Sequence, residues 1–322
     1  MSSNILLLVV VITILQLCAA AFGVGQTTRK LAELVEEQPL LLTYHKGPLL
    51  STTPIDVHLI WYGKFSPVQR SIVGDYLQSL GANLRGKAQQ PSAFTWWKII
   101  ESYKTAANKP GTGIARLGKQ KLDESYSLGK LLKRKNITAL VESAVKSRAL
   151  PLPGKATNAV YLVLTSEDVA VERFCVSSCG FHASISPSHL PYAWVGNPAS
   201  QCPGQCAWPF HQPIYGPQTP PLVPPNGDVG IDGMIINIAT VLAGAVTNPF
   251  NTGYFQGDAR APLEAVTACA GIYGKGAYPG FPGELLVDNT TGASYNAHGL
   301  RGRRFLLPAM WDPNTKSCKT LV

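Results

Sequence analysis

The sequence predicts an α/β or α+β protein, in which a layered domain of sheet and helices is followed by a second half rich in Cys, Pro and Gly. The prediction depends first on two runs of β-branched and aromatic residues, Ile55–Tyr62 and residues 159–164, which are typical of buried strands. Helical segments lie between these two runs, and strands that alternate with helices favour a layered sheet. After Glu172 the density of Cys, Gly and Pro rises.

Three helices are predicted in the first half. Ser66 and Pro67 suit the N-cap and the first turn of a helix that runs to about Leu80. Residues 94–103 carry apolar side chains at helical spacing, and residues 136–147 form an amphipathic pattern. These helices and the two strands make up the predicted layers.

The second half combines one apolar helix with irregular segments. Residues 208–226 are too rich in proline for a helix or a central strand, so we expect a long loop held by cross-links. Residues 233–246 are almost wholly apolar, which predicts a helix buried on all sides. From Phe250 onward we expect glycine-rich turns and short strands. A single domain is predicted over residues 41–322.

The N-terminus has the pattern of a secretory signal peptide. An apolar run is followed by small residues, and Ala19 and Ala21 fit a cleavage site before Phe22. The run is shorter than the ~20 residues that span a bilayer. We therefore predict a signal peptide over residues 1–21, a flexible arm over residues 22–40, and a secreted chain without stable membrane insertion.

Cysteine usage agrees with secretion. Cys18 lies in the predicted signal peptide, and the even number of cysteines that remains indicates disulfides in a secreted chain. The disulfide candidates are Cys175, Cys179, Cys202, Cys206, Cys269 and Cys318. Many connectivities are possible, and proximity in sequence favours Cys175–Cys179, Cys202–Cys206 and Cys269–Cys318. Two sequons, at Asn136 and Asn289, are candidate glycosylation sites of a chain that enters the secretory pathway.

The chain is basic, with a formal net charge of +9 and a pI near 9.2. Diffuse positive charge can retain a secreted protein on an acidic polysaccharide, because ionic attraction needs no specific pocket. Nucleic acid is not expected as a partner of a secreted protein. Solubility alone is the alternative explanation for the charge.

The common catalytic motifs are absent: there is no G-x-S-x-G nucleophile elbow, no phosphate-binding loop and no H-E-x-x-H zinc helix. No cofactor is therefore predicted. One alternative stays open, in which His182, His189 and His211 form a metal site in the loops with Glu264 as a fourth ligand. Hydrogen bonding within the fold is the favoured interpretation of these histidines.

Four aromatic residues lie in or near the proline-rich region: Trp194, Trp208, Phe210 and Tyr215. Exposed aromatic side chains could stack on sugar rings, whereas in a loop-rich region such side chains also form the local core. Burial is the favoured interpretation, and glycan stacking is the alternative.

Several long motifs resemble one family of plant proteins. They include FCVSSCGFH at residues 174–182, YAWVGNP at 192–198 and TTGASYNAHGL at 290–300. These motifs resemble the EXORDIUM-like, or phosphate-induced, proteins, and the resemblance extends from about residue 40 to Val322. It implies a secreted protein of the apoplast or cell wall that promotes cell expansion and growth in brassinosteroid-dependent regulation. It implies no particular reaction.

A second resemblance concerns catalysis. Residues 238–249 are similar to a zinc-peptidase helix of the form A-H-E-L-A-E-A-V-T-[DN]-P. Thr240 stands at the histidine, Val241 at the general base and Gly244 at the next ligand. Because valine cannot accept a proton and glycine has no ligand atom, the resemblance implies a zincin-like scaffold that has lost its zinc site. The alternative is that an apolar core helix matches this pattern by chance.

Together these observations predict a secreted protein that acts by binding, without catalysis. The expected partner is an acidic cell-wall polysaccharide or a receptor ectodomain. The alternative is a hydrolase that acts on the cell wall, either a metal-dependent peptidase or a glycan-active enzyme, with its site in the Cys/Pro/His-rich region.

Overall fold

A computed structural model describes residues 39–50, 54–81, 89–109, 113–153 and 158–322. Within this part of the chain, Leu40–Val322 forms one compact unit. The predicted signal peptide and nearly all of the predicted N-terminal arm lie outside the described residues.

The strands and helices follow in chain order. The strands are β1 (Thr43–Tyr44), β2 (Ile55–Tyr62), β3 (Ala115–Asp123), β4 (Leu131–Leu132), β5 (Asn158–Thr165), β6 (Ala170–Val171), β7 (Gly180–Ile185), β8 (Leu190–Gly196), β9 (Tyr254–Phe255), β10 (Leu286–Val287), β11 (Ser294–Tyr295), β12 (Ala297–His298), β13 (Arg304–Phe305), β14 (Met310–Asp312) and β15 (Ser317–Lys319). The α-helices are α1 (Pro67–Gly81), α2 (Ala93–Trp97), α3 (Ile99–Ala106), α4 (Arg134–Lys146), α5 (Pro203–Cys206) and α6 (Val229–Thr247). Two 3₁₀ turns cover Thr267–Cys269 and Leu300–Gly302.

The main sheet has five strands in the order β3-β2-β5-β8-β7. All neighbouring pairs are parallel except β7 with β8, so β7 is an antiparallel edge strand. The two predicted strands, β2 and β5, pair along their whole length from Ile55 opposite Asn158 to Tyr62 opposite Thr165. The predicted α/β class is therefore confirmed.

Helices cover both faces of this sheet. Alternate residues of β2, from Ile55 to Trp61, belong to an apolar cluster that includes side chains of α1, α2, α3 and α6. Ile60 and Tyr62 point to the opposite face, where a second cluster includes Ile137 and Leu140 of α4. Because both faces are buried, β2 and β5 are almost continuously apolar, as is usual for parallel strands.

The predicted helices are present with small changes. The N-cap of α1 is confirmed, since Gln69 N donates to Ser66 Oγ at 3.2 Å and Ser66 N donates to Gln69 Oε1 at 2.9 Å. The single helix predicted over residues 94–103 is instead two short helices, α2 and α3, which meet at Lys98. The indole N–H of Trp96 donates to Pro308 O at 2.7 Å, which ties this corner to the C-terminal region.

The apolar helix α6 is confirmed as a core helix. It begins after Asp228, whose side chain accepts a hydrogen bond from Ile231 N at 3.0 Å, and it ends at Thr247. By length and composition it could cross a membrane, but 83% of its most apolar stretch is buried inside the protein. It packs against β7 and β8.

Three sheet strands were not predicted. The strand β3 lies at one edge and carries three basic residues, Arg116, Lys119 and Lys121. The strands β7 and β8 fall in the segment that composition suggested was irregular. Pro191 is tolerated in β8 because pairing with the inner neighbour β5 begins only at Tyr192. As predicted, the remainder of the second half consists of turns and strands of two or three residues.

Candidate functional site

The positions that resemble a zinc helix lie in the second half of α6. The hydroxyl of Thr240 donates to Ile236 O at 2.9 Å, within its own helix. Val241 is 6% exposed and belongs to the main apolar cluster. Gly244 faces the side chains of His182 and Glu264. None of the three helix positions offers a side-chain ligand atom or a proton acceptor that points away from the helix.

A histidine–carboxylate pair covers Gly244. His182 comes from the edge strand β7, and its Nε2 lies 2.8 Å from Glu264 Oε2. The two side chains are only 9% and 10% exposed. The other carboxylate oxygen of Glu264 accepts from Asn248 Nδ2 at 2.7 Å, just beyond the end of α6. The carboxylate is thus held by two elements, and it orients the imidazole.

Gly244 is needed for this arrangement. A Cβ atom there would lie 2.7 Å from Glu264 Oε2 and 2.8 Å from His182 Nε2, which is too close for any side chain. The Nδ1 atom of His182 is buried and has no hydrogen-bond partner among the described residues. A His–Glu pair can act as a general base when a substrate reaches the imidazole. Here the ring is so deeply buried that a substrate would have little access to it.

The histidines proposed as an alternative metal site do not come together. His182 and Glu264 form the pair described above, whereas the ring of His189 packs against Phe250 at 5.7 Å. His211 is exposed and its Nδ1 lies 3.0 Å from Gln212 O. Across the described ranges, no three His, Cys, Asp or Glu side chains form a group that could hold a metal ion.

The cysteines form three disulfides, but two of the predicted pairings are wrong. The observed bonds join Cys175 with Cys202, Cys179 with Cys206, and Cys269 with Cys318, of which only the last was predicted. The first two link the segment before β7 to the segment around α5. The bonds fit an oxidising, extracellular environment.

The aromatic residues divide into two groups. Trp194 is fully buried in β8 and Phe210 is 3% exposed, so neither offers a face to a sugar, and the stacking alternative is wrong for both. Trp208 is partly exposed and Tyr215 is 86% exposed. These last two line one groove of about 710 Å³, together with residues of the proline-rich loop.

The two sequons differ in exposure. Asn289 is exposed in a turn. Asn136 is partly buried in the first turn of α4, where its Oδ1 accepts from Lys133 N at 2.8 Å. Glycosylation at either asparagine stays a prediction.

A second groove, of about 560 Å³, was not predicted. It is lined by α1, by the segment 223–227 and by an arginine-rich segment. Its charged lining residues are the three arginines Arg301, Arg303 and Arg304 and a single carboxylate, Asp75. We call it the arginine groove. The excess of guanidinium groups makes it a candidate site for an anion.

The arginines are oriented by hydrogen bonds. Asp75 lies on α1, is 4% exposed, and accepts from Arg301 Nη1 and from Arg303 Nε, the latter at 3.1 Å. Arg303 Nη1 also lies 3.5 Å from Asn226 Oδ1. Arg304 forms an ion pair with Asp288. Arg303 Nη2 also donates to Ser71 Oγ at 3.4 Å, so every nitrogen of Arg303 has a partner. Because Asp75 orients both guanidinium groups, the remaining N–H donors of Arg301 are held at the groove and available to a ligand.

A buried carboxyl lies behind this groove. Asp232, in the first turn of α6, is 2% exposed and accepts from Asn226 N at 2.9 Å and from Asn226 Nδ2 at 2.7 Å. Burial raises the pKa of Asp232 to about 7, although the hydrogen bonds from Asn226 act in the opposite direction. Asn226 therefore connects a proton-binding group to the wall of the groove.

The sequence contained a signal for the arginine groove, namely the Arg301-Gly302-Arg303-Arg304 run. The signal was missed because a short basic run is usually a solvated surface. The run forms a candidate binding site because Asp75, which lies more than two hundred residues earlier in the chain, orients its arginines.

Comparison with known proteins places the chain in one family. The model of the "Phosphate-induced protein 1 conserved region" matches residues 42–321. Protein EXORDIUM-like 2 of Arabidopsis thaliana is 55% identical, over 90% of this chain and 93% of the relative. Protein PHOSPHATE-INDUCED 1 of Nicotiana tabacum is 52% identical, over 100% and 99%. Protein EXORDIUM of Arabidopsis thaliana is 52% identical, over 93% and 95%.

No solved structure matches the chain. The resemblance of α6 to a zinc-peptidase helix therefore stays a prediction about the origin of the scaffold. The family is shown by the match over residues 42–321 and by the identity with the relatives. This chain belongs to the EXORDIUM-like family of phosphate-induced plant proteins.

Proposed function

We propose that this chain is a secreted protein of the plant apoplast or cell wall that promotes cell expansion and growth in brassinosteroid-dependent regulation. It acts by binding an acidic wall polysaccharide through the arginine groove, without catalysis. The arginine groove is the observation that carries the proposal, since its lining has three arginines, of which two share Asp75 and Arg304 pairs with Asp288, on a chain of net charge +9.

The chemistry of the groove suits a uronate chain. Guanidinium groups bind carboxylates through paired N–H donors, and orientation by Asp75 reduces the conformational freedom that Arg301 and Arg303 lose on binding. A polysaccharide with a carboxylate on each sugar could contact the groove and the surrounding basic surface at once. The family resemblance supplies the growth role, and the three disulfides support secretion.

The test is binding to demethylated pectin by a matched pair of variants. Arg301→Gln removes a charge at the groove, where the side chain is 64% exposed, and Arg260→Gln removes one from a side chain that is 90% exposed elsewhere. Both variants have the same net charge. We expect Arg301→Gln to weaken binding several-fold and Arg260→Gln to have little effect.

Salt dependence completes the test. Binding should fall steeply between 0.1 M and 1 M salt, because the screening length drops from ~10 Å to ~3 Å. Equal losses in the two variants would show that diffuse charge, and no specific groove, retains the protein. Absence of binding to pectin would overturn the polysaccharide proposal.

Secretion can be tested independently. Mass spectrometry of the protein recovered from apoplastic fluid should give an N-terminus near Phe22 and no free thiol. Recovery of intact Met1, or of two or more free thiols, would contradict the secretory route.

A further inference from the structure

The groove lined by Trp208 and Tyr215 differs in chemistry from the arginine groove. Its lining consists of Cys175, Val176, Gly204, Gln205, Trp208, Pro213, Ile214, Tyr215, Gly216, Pro217, Pro279 and Gly280. None of these residues carries a charge, although the chain as a whole has a net charge of +9. We call it the aromatic groove. A charged ligand would gain no ionic contact with its lining.

Large apolar side chains are exposed along the aromatic groove. Tyr215 is 86% exposed, Val176 is 80% exposed and Ile214 is 52% exposed. Single exposed apolar residues are common, but a cluster around a concavity is a sign of a binding surface. Among the lining side chains only Gln205, Trp208 and Tyr215 carry N–H or O–H donors, which is few for the many hydroxyl groups of a sugar chain.

Two aromatic side chains in the groove have hydrogen-bond donors available. The carbonyl oxygen of Trp208 accepts from Tyr273 Oη at 3.4 Å, and the indole N–H of this partly exposed side chain is available as a donor. The hydroxyl of Tyr215, on a side chain that is 86% exposed, is open to solvent and can also donate. The groove thus offers apolar walls and two donors, which can bind carbonyl oxygens.

Cross-links and close packing hold one wall of the groove in place. The disulfides Cys175–Cys202 and Cys179–Cys206 join the loop that carries Val176 to α5, next to Trp208. The proline-rich loop packs on this wall at Gly204, where a Cβ atom would lie 2.4 Å from Gln212 O. A preformed wall lowers the entropy that is lost when a ligand binds.

The other wall is braced in a similar way. Gln218 Nε2 donates to Pro213 O at 3.2 Å and to Gly216 O at 3.1 Å, within the proline-rich loop. Thr219 Oγ1 donates to Gly280 O at 3.0 Å. Pro217 packs so closely on Gly280 that a Cβ atom at this glycine would lie 2.6 Å from the proline ring. The loop is therefore fixed at both ends of the groove.

From these features we propose that the aromatic groove binds an uncharged, proline-rich polypeptide segment in the polyproline II conformation. Such a segment has apolar rings that fit between aromatic and aliphatic side chains. It also has backbone carbonyl groups without internal hydrogen bonds, which match the free donors of Trp208 and Tyr215. An uncharged lining on a basic protein selects against acidic and basic ligands alike.

The experiment measures binding of the secreted, disulfide-bonded protein to decaproline by calorimetry. A glycine–serine peptide of equal length and a neutral wall glycan, cellohexaose, are the comparison ligands. We expect decaproline to bind and the comparison ligands to bind at least about tenfold more weakly. Binding should hardly change between 0.1 M and 1 M salt, in contrast to the binding of pectin.

Three variants locate the site. Tyr215→Ala should weaken decaproline binding by about tenfold or more, as expected for an exposed aromatic anchor. Trp208→Phe keeps a ring but removes the donor, and should cost about fivefold. Leu131→Ala is the matched control, because Leu131 is an apolar side chain that is 83% exposed outside the groove. It should leave binding unchanged.

Each of the next three results would overturn the peptide proposal. Decaproline binding that survives Tyr215→Ala would remove the ligand from this groove. Cellohexaose binding that is lost on Tyr215→Ala would identify a neutral glycan as the ligand and overturn the peptide proposal. Dimerisation abolished by Tyr215→Ala would identify a second copy of the chain as the occupant. If Trp208→Phe does not fold, Tyr215→Ala still decides the question, since Tyr215 makes no contact that stabilises the core.

Discussion

The sheet region, residues 55–196, and the C-terminal region, residues 197–322, are stabilised in different ways. In the sheet region, the two central strands are eight residues long and buried on both faces. In the C-terminal region, the strands have only two or three residues. The ordered conformation of this region therefore depends on α6, on one disulfide within the region and on two disulfides that join it to the sheet region.

This difference corresponds to a division of roles. The sheet and α6 form the scaffold, and the arginine groove and the aromatic groove are built largely from the C-terminal region. Irregular loops can bind a ligand with specificity only when they are fixed in position. Here a buried carboxylate, Asp75, and the disulfides near α5 hold them.

The largest effect should come from the cross-link within the C-terminal region. Replacing Cys269 and Cys318 together by serine opens a loop of 49 residues, and the chain-entropy relation gives a loss of about 4 kcal/mol in the free energy of unfolding. Urea unfolding of the purified variant measures this loss. Removal of the Cys175–Cys202 pair, with a separation of 27, should cost somewhat less. An unchanged urea midpoint would show that the C-terminal region is stabilised without its cross-link.

A comparable effect is expected in the helix that joins the two regions. Leu242 on α6 is 1% exposed in the main apolar cluster, so Leu242→Ala should cost roughly 2–5 kcal/mol by leaving a cavity. Thermal and urea unfolding give the value. The control Leu131→Ala, at an exposed position, should stay within about 0.5 kcal/mol. A fully stable Leu242→Ala protein would mean that α6 is not a buried helix of the core.

The third prediction concerns pH and Asp232. The pKa of this carboxyl is raised to about 7 in the folded chain, so the folded state binds more protons than the unfolded state above the ordinary value of 3.8. The contribution to stability is fully present below pH 3.8 and is lost as pH rises towards 7. The loss amounts to about 1.4 kcal/mol for each pH unit in that window.

Asp232→Asn isolates this effect, because the amide has the same shape and does not titrate. Urea unfolding of both proteins between pH 4 and pH 8 should show the native chain losing stability relative to the variant as pH rises. Parallel curves over the whole range would contradict the proton binding assigned to Asp232.

The smallest effect is expected on metal removal. Since His182 and Glu264 bind each other and α6 offers no ligand, purified protein should contain far less than one zinc per chain, and chelators should leave Tm unchanged. Metal analysis and thermal unfolding with chelator provide the measurement. Stoichiometric zinc that is lost in His182→Gln would instead favour the hydrolase alternative.

The sequence was most informative where local signals and burial agree. The strands β2 and β5, the cap at Ser66 and the helix α6 could all be predicted, since each has an apolar or capping pattern that needs no distant partner. It was less informative for β7 and β8, because a Cys- and Pro-rich composition concealed strands whose partners are set by the sheet.

By itself the sequence determined the class of fold, the core helix, the family and the presence of cross-links, because periodicity, composition and long motifs are properties of neighbouring residues. Only the tertiary structure decided which cysteines pair, that His182 and Glu264 meet over Gly244, and that Arg301 and Arg303 share Asp75. These contacts join residues that are far apart in the chain. Their geometry depends on how the sheet, α1 and α6 pack, and no local pattern encodes it.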